Sequence, residues 1–235
     1  MSVSIVMACY NEEEIIETVV RDYHNQVIER IDNSEFIIID DCSSDQTPYI
    51  LAKLVNELPE LKVLRTQVNL GHGKAIRMGY ETAQKEWVFQ VDSDNQFKAE
   101  DFWLLYKVIN EYDFILGFRK NRQGPLVRLI LTGLIRFVNF LLFRVWIKDA
   151  NCPFRLIKRE LLHETLECID TEALAPNIMI SILIKKKGMR MKEVPISHYE
   201  RKTGVPSIKD YRLLKFGFKG FRQLLLFNNC LRSKL

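Results

Sequence analysis

The sequence predicts an α/β fold in which a mostly parallel sheet is flanked by helices. Short apolar runs alternate along the chain with helical segments of roughly 10 to 18 residues, which is typical of βαβ units. Polar segments follow several of the apolar runs, and ligands bind at that end of the strands in parallel sheets. With 235 residues, 47% of them hydrophobic, the chain can form one large domain, or one domain with an appendage.

Short apolar runs predict the strands, and the first run carries no charge, as expected in the centre of a parallel sheet. Residues 3–8 read V-S-I-V-M-A, and residues 36–39 read F-I-I-I. The other predicted strands are residues 61–64, 86–90, 114–118, 154–157 and 189–196.

Helices are predicted between these strands by apolar residues at helical spacing. In the first helix Asn11 is the expected N-cap, acidic residues occupy the first turn, and apolar residues from Ile15 to Tyr23 share one side. Further helices are predicted at residues 49–58, 75–83, 100–110, 125–147, 173–187 and 211–227, and from residue 159.

Four polar loops follow predicted strands, at residues 9–14, 40–45, 92–96 and 117–119. Because parallel strands end at the same edge of a sheet, these loops are expected to converge on one site.

The loop at residues 91–97 reads V-D-S-D-N-Q-F and carries the clearest chemistry. Asp92 and Asp94 are two residues apart at a strand end, so both carboxylates can face one point, and Gln96 continues the same phase. Oxygen ligands suit Mg²⁺ or Mn²⁺, which usually completes its shell with substrate phosphates. The alternative interpretation is a polar turn held by side-chain hydrogen bonds to the backbone.

The glycine-bearing loop at residues 69–74 does not indicate a dinucleotide fold or a P-loop. Gly71 and Gly73 form a G-x-G, but the third glycine is replaced by Ile76, and the motif does not follow the first strand. Lys74 is followed by Ala75, where a P-loop requires serine or threonine.

The most hydrophobic stretch, residues 125–147, nearly reaches the length of a membrane-spanning helix, but three arginines interrupt it. Arg128, Thr132, Arg136 and Asn139 fall within one arc of a helical wheel. This polar stripe predicts either an interfacial helix that presents cations to a phosphate or a core helix whose arginines reach solvent.

Charge is concentrated at the carboxyl end of the sequence. Residues 208–235 contain seven lysines and arginines against one aspartate, whereas the whole chain has a net charge of +4. Such a basic segment suits a phosphate-bearing surface. The division expected is therefore a catalytic domain at 1–207, which includes helix 125–147, and a basic amphipathic tail at 208–235. Five scattered cysteines without a C-x-x-C pair, and no predicted signal peptide, indicate a cytoplasmic protein with reduced thiols.

Six motifs, taken in their order and spacing, resemble the family-2 inverting glycosyltransferases of GT-A fold, and among them the polyprenol-phosphate (dolichol-phosphate) mannose synthases. The resemblance covers residues 2 to about 207. The motifs are M-A-C-Y-N-E-E, I-D-D-C-S-S-D-Q-T, N-L-G-H-G-K-A-I-R-M-G, V-D-S-D-N-Q, G-F-R and K-D-A-N-C-P-F-R.

The resemblance implies a GT-A (Rossmann-like) mixed, mostly parallel sheet and a GDP- or UDP-sugar donor held with Mg²⁺ or Mn²⁺. Asp94 and Gln96 are the implied metal ligands, with Asp92 as a ligand or a nucleotide contact. Asp41 is implied to read the base. The other implied donor-site residues are Ala8, Tyr10, Glu12, Lys74 and Ser93.

The resemblance also implies residues that meet phosphates and the acceptor. Arg119 would meet donor or acceptor phosphates, and Arg128 with Thr132 would hold a lipid phosphate. Arg201 and Lys209 would lie over the pyrophosphate, and Asp149 corresponds to the acid that faces the acceptor.

Three departures from the family's pattern concern the site. The chain has Ala8 where the family usually has proline, and Cys152-Pro153-Phe154 where it usually has S-G-F. The basic pattern at residues 201–209 is longer than usual and contains a proline. The last two departures lie on the acceptor side.

The implied reaction is one in-line displacement that inverts the anomeric carbon, at the cytoplasmic face of a membrane. Nucleic acid is not an expected partner, whereas an anionic membrane surface is, and oligomeric state is left open. A lipid phosphate acceptor needs no general base. A hydroxyl acceptor on a sugar or protein would need one, and Asp149 is then the candidate. The third alternative is an inactive homologue that binds nucleotide or membrane.

Overall fold

The computed structural model describes residues 1–120, 126–200, 219–229 and 231, and for residues 126–132 and 135 it describes the helical backbone only. The boundary expected at residue 207 lies outside this part of the chain.

The described residues form a seven-stranded sheet in the order β3-β2-β1-β4-β6-β5-β7. β6 is antiparallel to both of its neighbours, and the other pairs are parallel. This confirms the mixed, mostly parallel sheet. The strands are β1 (Val3–Cys9), β2 (Glu35–Asp40), β3 (Leu61–Arg65), β4 (Trp87–Gln90), β5 (Phe114–Arg119), β6 (Arg155–Lys158) and β7 (Met191–Ile196).

The reversed strand determines which loops meet. Because β6 runs against its neighbours, the segment that precedes it lies at the same edge as the carboxyl ends of β4 and β5. Residues of β1, β2 and β4 are all buried, so this edge stands on the rigid centre of the core.

Helices cover the sheet, and most of them end close to the predicted positions. Several begin two or three residues from the predicted start. In the segment 100–110 the helix is only five residues long. The helices are α1 (Ile16–Gln26), α2 (Thr47–Glu57), α3 (His72–Thr82), α4 (Phe102–Tyr106), α5 (Leu126–Phe143), α6 (Arg159–Leu166) and α7 (Pro176–Lys186), and residues 219–229 are also helical.

The prediction that Asn11 caps the first helix is wrong. Asn11 has a left-handed backbone with φ of 53°, and α1 begins only at Ile16. The Asn11 side chain instead accepts a hydrogen bond from the backbone of Ser44, in the loop after β2. The polar loop after β1 is thereby committed to the neighbouring strand end.

Helix α5 ends at Phe143 because Arg144 adopts φ of 58°. In its polar stripe Asn139 is buried, whereas Arg136 is partly exposed. Arg136 lies over the Trp146 ring and donates a hydrogen bond to the carbonyl oxygen of Lys148. The choice between an interfacial helix and a core helix with outward arginines stays a prediction. Among the described residues no helix has the length and apolarity needed to cross a membrane.

Candidate active site

The loops after β1 and β2 are joined by hydrogen bonds between their backbones and short polar side chains. The amide of Asn11 donates to Ser43 Oγ at 3.0 Å, and the amide of Ser44 donates to Asn11 Oδ1 at 2.8 Å. The amide of Glu12 donates to Thr47 Oγ1 at 2.9 Å. These contacts form one polar floor from two of the four predicted loops.

Asp41 lies beneath this floor and is only 3% exposed. Its Oδ1 accepts hydrogen bonds from the amide of Leu70 at 2.8 Å and from Thr66 Oγ1 at 3.1 Å. Its Oδ2 accepts one from the amide of Gly71 at 2.8 Å, where the φ of 84° requires glycine. Three of the roughly four acceptor positions of this carboxylate are therefore filled, two of them by the glycine loop.

The other implied donor-site residues on these strands surround Asp41. Ala8 is paired with Ile39 in the sheet. Tyr10 lies two residues later, just after the end of β1. Tyr10 is 42% exposed, while Glu12 is buried. Tyr10 thus offers the aromatic surface at this end of the site.

Asp92 and Asp94 follow β4 and are half-buried, with Ser93 buried between them. Oδ1 of Asp92 is shielded from solvent and accepts no hydrogen bond from a described residue. His72 Nε2 lies 3.6 Å from it. Oδ1 of Asp94 accepts a hydrogen bond from the amide of Gln96 at 3.2 Å. One carboxylate oxygen of this loop, Asp92 Oδ1, is therefore buried without a hydrogen-bond donor among the described residues.

Gln96 connects this loop to the segment after β7. Its side-chain nitrogen donates to the carbonyl oxygen of Tyr199 at 2.8 Å, and its own carbonyl oxygen accepts from the amide of Tyr199 at 2.9 Å. The side-chain nitrogen of Gln96 is thereby hydrogen-bonded within the protein. Its side-chain oxygen Oε1 is the atom that could coordinate a metal.

The oxygen atoms of Asp92, Asp94 and Gln96 fit a hard divalent cation. A shielded carboxylate oxygen without a hydrogen-bond donor is stabilised by a cation. Within the described residues no three histidine, cysteine or acidic side chains cluster as a metal site. The protein would accordingly supply few ligands, and substrate phosphates would supply others, which is the usual arrangement for Mg²⁺.

Lys74 lies in the first turn of α3, but its ammonium pairs with Glu172 Oε1 at 2.6 Å. The segment that carries Glu172 packs tightly on Gly73, since a Cβ there would lie 2.7 Å from the carbonyl oxygen of Leu174. The same segment is held from its other side by Gln223, which donates to the carbonyl of Glu172 and accepts from the amide of Leu174. The glycine loop and the C-terminal helix thus contact one shared segment.

Arg119, the last residue of β5, forms a two-bond ion pair with Asp149. Nε lies 2.6 Å from Oδ2, and Nη2 lies 2.9 Å from Oδ1. Burial alone would lower the pKa of Arg119, but the hydrogen bonds and negative charge of Asp149 outweigh it and raise that pKa, with a smaller contribution from Asp92. The pair uses Nε and Nη2 of the guanidinium, so the two N–H groups on Nη1 are not engaged by Asp149.

Cys152 follows in the same turn, where the sequence departs from the family's pattern. It is fully buried, and burial together with the charge of Asp149 raises the pKa of its thiol to about 12. The thiol therefore stays protonated at neutral pH and serves as apolar packing beneath the acceptor side.

Four predicted residues cannot be located as side chains. Arg201 and Lys209 lie outside the described residues, and only the α5 backbone is described at Arg128 and Thr132. Their implied roles stay predictions.

Sequence reasoning missed several residues that the fold brings to the site. No role was predicted for His72, although its place between two glycines at the start of a helix could have indicated one. Glu172 and Tyr199 lie far along the chain from their partners, so no local pattern marks them. Arg155 closed the last motif, but without an assigned role.

Comparison with known proteins places this geometry in a family. A model of the family described as glycosyl transferase family 2 matches residues 4–173. A dolichyl-phosphate beta-glucosyltransferase of Trichomonas vaginalis is 27% identical over 84% of this chain and 65% of its own. An undecaprenyl-phosphate 4-deoxy-4-formamido-L-arabinose transferase of Yersinia enterocolitica is 28% identical over 86% of this chain and 61% of its own. The chain therefore spans less than two thirds of the length of these relatives.

Solved structures support the GT-A fold. A glucosyl-3-phosphoglycerate synthase from Mycobacterium tuberculosis, in complex with Mn²⁺, uridine diphosphate and phosphoglyceric acid, superposes with a TM-score of 0.68 at 18% identity, over 97% of this chain and 78% of that one. A mannosyltransferase from Pyrobaculum calidifontis, in complex with GDP-Man and Mn²⁺, has a TM-score of 0.63 at 20% identity, over 92% and 60%.

Proposed function

The chain belongs to glycosyl transferase family 2, and from that premise we propose that it moves a sugar from a nucleotide-diphosphate donor to a polyprenyl phosphate. The reaction takes place at the cytoplasmic surface of a membrane and inverts the anomeric carbon. The curated relatives named for dolichyl and undecaprenyl phosphates support this class of acceptor. The structures solved with UDP or GDP-Man support a nucleotide donor.

The ion pair between Arg119 and Asp149 is the observation that carries this choice of acceptor. Both oxygens of Asp149 accept N–H groups of Arg119, so taking up a proton from a hydroxyl would remove the negative charge that pairs with this buried arginine. A phosphate monoester is already anionic at neutral pH and needs no general base. In this proposal Asp149 orients Arg119, and Arg119 directs its remaining N–H groups at a phosphate.

Asp92, Asp94 and Gln96 would hold Mg²⁺ or Mn²⁺ on the donor diphosphate. When bound, such a cation offsets the negative charge that develops on the departing diphosphate. Tyr10 supplies a surface for the base, and Asp41 fixes the glycine loop beneath it. An oxygen of the acceptor phosphate forms the new bond to the anomeric carbon as the bond to the nucleoside diphosphate breaks. No proton has to be removed in this step.

The membrane part of the proposal rests on the direction in which α5 faces. Leu134, Phe137 and Leu141 are 53%, 55% and 51% exposed, while Asn139 of the polar stripe is buried. An exposed apolar helix face in a water-soluble protein is unfavourable unless another surface covers it. A lipid surface suits this face because the acceptor phosphate would lie at the depth of the headgroups.

The C-terminal helix extends the same type of surface. Phe227 packs on Phe143 of α5, whereas Phe221 and Leu226 are exposed beside the basic residue Arg222. Apolar side chains flanked by cations are typical of helices that lie in an anionic interface.

The test of the reaction is a panel of labelled UDP- and GDP-sugars offered with polyprenyl phosphate in detergent, or with simple sugars and peptides. We expect Mn²⁺- or Mg²⁺-dependent label in the lipid fraction. Label in sugars or peptides instead would favour a hydroxyl acceptor with Asp149 as base. Nucleotide binding without any transfer or donor hydrolysis would identify an inactive homologue.

Liposome flotation tests the membrane surface. Binding should require anionic lipid and should fall as salt rises. Glutamine at positions 212, 215, 219 and 222 should remove most of it, since four cations contribute roughly 4 kcal/mol at low salt. Phe137→Ser should also weaken binding, whereas Tyr49→Ser, at a still more exposed aromatic residue on α2, should not. Failure of the wild type to float at any salt concentration would refute the membrane proposal.

A further inference from the structure

Arg155 is a fully buried arginine, with 0% of its surface exposed. Among the described residues it forms no ion pair with a carboxylate, although a buried charge normally requires one. Burial lowers the pKa of its guanidinium, yet arginine still remains charged at neutral pH. Because this buried charge has no counter-ion among the described residues, its hydrogen bonds have to stabilise it.

All five N–H groups of Arg155 are matched by five hydrogen bonds. Nε and Nη2 donate to the carbonyl oxygen of Cys152, and Nη2 also donates to that of Ala150. Nη1 donates to the carbonyl oxygen of Asn177 and to Ser181 Oγ. Four of the five bonds end on backbone carbonyls, so the guanidinium acts as a rigid template for backbone.

The backbone that Arg155 holds is the turn that begins at Asp149. The amide of Cys152 donates to the carbonyl oxygen of Asp149 at 3.0 Å, which closes the turn. Arg155 then binds the outward carbonyls of the turn at residues 150 and 152. Ser181 Oγ, 2.9 Å from the carbonyl oxygen of Ala150, braces the turn against α7.

The place of Arg155 in the sheet makes this template central to the site. It is the first residue of β6 and pairs with Gln90 on β4 and with Leu116 on β5. The chain reaches Asp92 two residues after Gln90 and Arg119 three residues after Leu116. Arg155 thus lies between β4, which leads to Asp92, and β5, which ends at Arg119.

We infer that Arg155 is a positioning residue for transfer: its guanidinium holds the turn 149–152 so that Asp149 keeps Arg119 aimed at the phosphate. The inference rests on the proposed function and adds a residue that never touches substrate. Lysine cannot replace Arg155, because an ammonium is a point donor with three N–H groups and cannot span both carbonyls of the turn together with α7. Displacement of reacting groups by about 1 Å can lower the rate about a hundredfold.

The test compares Arg155→Lys with wild type in the lipid-phosphate transfer assay. We expect kcat to fall by about 10- to 100-fold, while the KM for the donor and the Kd for UDP or GDP with Mn²⁺ stay within about twofold. We expect kcat to change without the donor affinity because the turn 149–152 does not hold the loops that bind the donor. A kcat equal to that of wild type, or an equal loss in nucleotide affinity, would overturn the inference.

A double-mutant comparison shows whether Arg155 acts through Asp149. In an Asp149→Asn background, Arg155→Lys should lower kcat by less than about threefold, because the pair that it positions is already broken. A full additional loss in that background would mean that Arg155 acts by another route, against the inference.

The matched control is Arg77→Lys. Arg77 also donates to two backbone carbonyls, those of Ile169 and Leu166, but it does not touch the turn at Asp149. Its replacement should leave kcat within about twofold. Absence of transfer by the wild type would instead count against the proposed function itself, so the two failures are distinguishable.

Ser181→Ala covers the case in which Arg155→Lys does not fold, judged by its melting transition. Alanine removes one acceptor of Arg155 and the brace on Ala150 but leaves the buried charge otherwise bonded. We expect kcat to fall by about threefold to tenfold with unchanged nucleotide affinity. An unchanged kcat would overturn the inference.

Discussion

Asp41 and Asp94 lie at the ends of two strands that flank β1 at the same edge of the sheet. Asp41 is buried, and its oxygens accept three hydrogen bonds from the chain itself. Asp94 is half-buried beside Asp92, whose shielded oxygen accepts no hydrogen bond from a described residue. The two regions share residue type and sheet position but differ in the hydrogen bonds that their carboxylate oxygens accept.

The difference separates a carboxylate that builds the site from carboxylates that serve the ligand. A buried acceptor that is filled by backbone N–H groups stabilises the folded loop, and its removal leaves those donors unsatisfied. A carboxylate with an unfilled oxygen adds little to folding and even opposes it through repulsion with a neighbouring acid. Stability and activity are therefore expected to respond in opposite ways at the two strand ends.

The largest expected effect is that of Asp94→Ala on activity. Loss of a metal ligand should lower transfer by about a thousandfold, or roughly 4 kcal/mol of transition-state stabilisation. The melting temperature of the ligand-free protein should stay within about 2 °C, because a loop carboxylate contributes little to the core. Initial rates and thermal melts measure both quantities.

Asp32→Ala, at an exposed aspartate remote from this edge, is the control and should change neither quantity. A clear drop in the melting temperature of Asp94→Ala would show that this carboxylate is structural too, which would remove the contrast.

The next effect is that of Asp41→Asn on stability. The amide nitrogen of asparagine would face a backbone N–H of Leu70 or Gly71, so bonds are lost and a donor is left buried. We expect a loss of about 2–4 kcal/mol in the free energy of unfolding, seen as a melting temperature lower by about 5–10 °C. Nucleotide affinity should fall as well, since the glycine loop loses its anchor.

Asp92→Asn is the matched variant, and its melting temperature should equal or slightly exceed that of wild type. If Asp41→Asn were as stable as wild type and lost only affinity for one nucleotide, then Asp41 would serve as a reader of the base and not as a loop anchor.

Metal and nucleotide added together provide the third test. At about 100 times its Kd a ligand stabilises the folded state by about 2.7 kcal/mol, so UDP or GDP with Mn²⁺ should raise the melting temperature by about 5–10 °C. Chelator should abolish the rise in wild type, and Asp94→Asn should show little of it. A full rise in the presence of chelator would refute metal-dependent donor binding.

The sequence was sufficient for the strands, for their common edge and for the polar loops, because these follow from local apolar runs and from chain order. It could not predict that the oxygens of Asp41 would accept three hydrogen bonds, since the donors lie 25 to 30 residues later in the chain. Nor could it predict the left-handed Asn11 or the contacts of Arg136 with Trp146 and Lys148, because both depend on residues elsewhere in the chain. Patterns locate a site in such a fold, whereas tertiary hydrogen bonds decide which of its side chains remain available.

The smallest effect concerns Lys74, which lies between the two regions and pairs with Glu172. Both side chains are partly exposed, so the pair contributes less than about 1 kcal/mol to stability. To contact a donor phosphate, Lys74 has to exchange this partner for the nucleotide. Glu172→Gln removes the competing carboxylate, so affinity for UDP or GDP should rise by up to about fivefold, with the melting temperature unchanged within about 2 °C. Glu81→Gln, which breaks the Arg77 pair on the same helix, should leave affinity unchanged. A lower affinity in Glu172→Gln would mean that Glu172 holds Lys74 in place for the donor, and Lys74 would then belong with Asp41 among the residues that build the site.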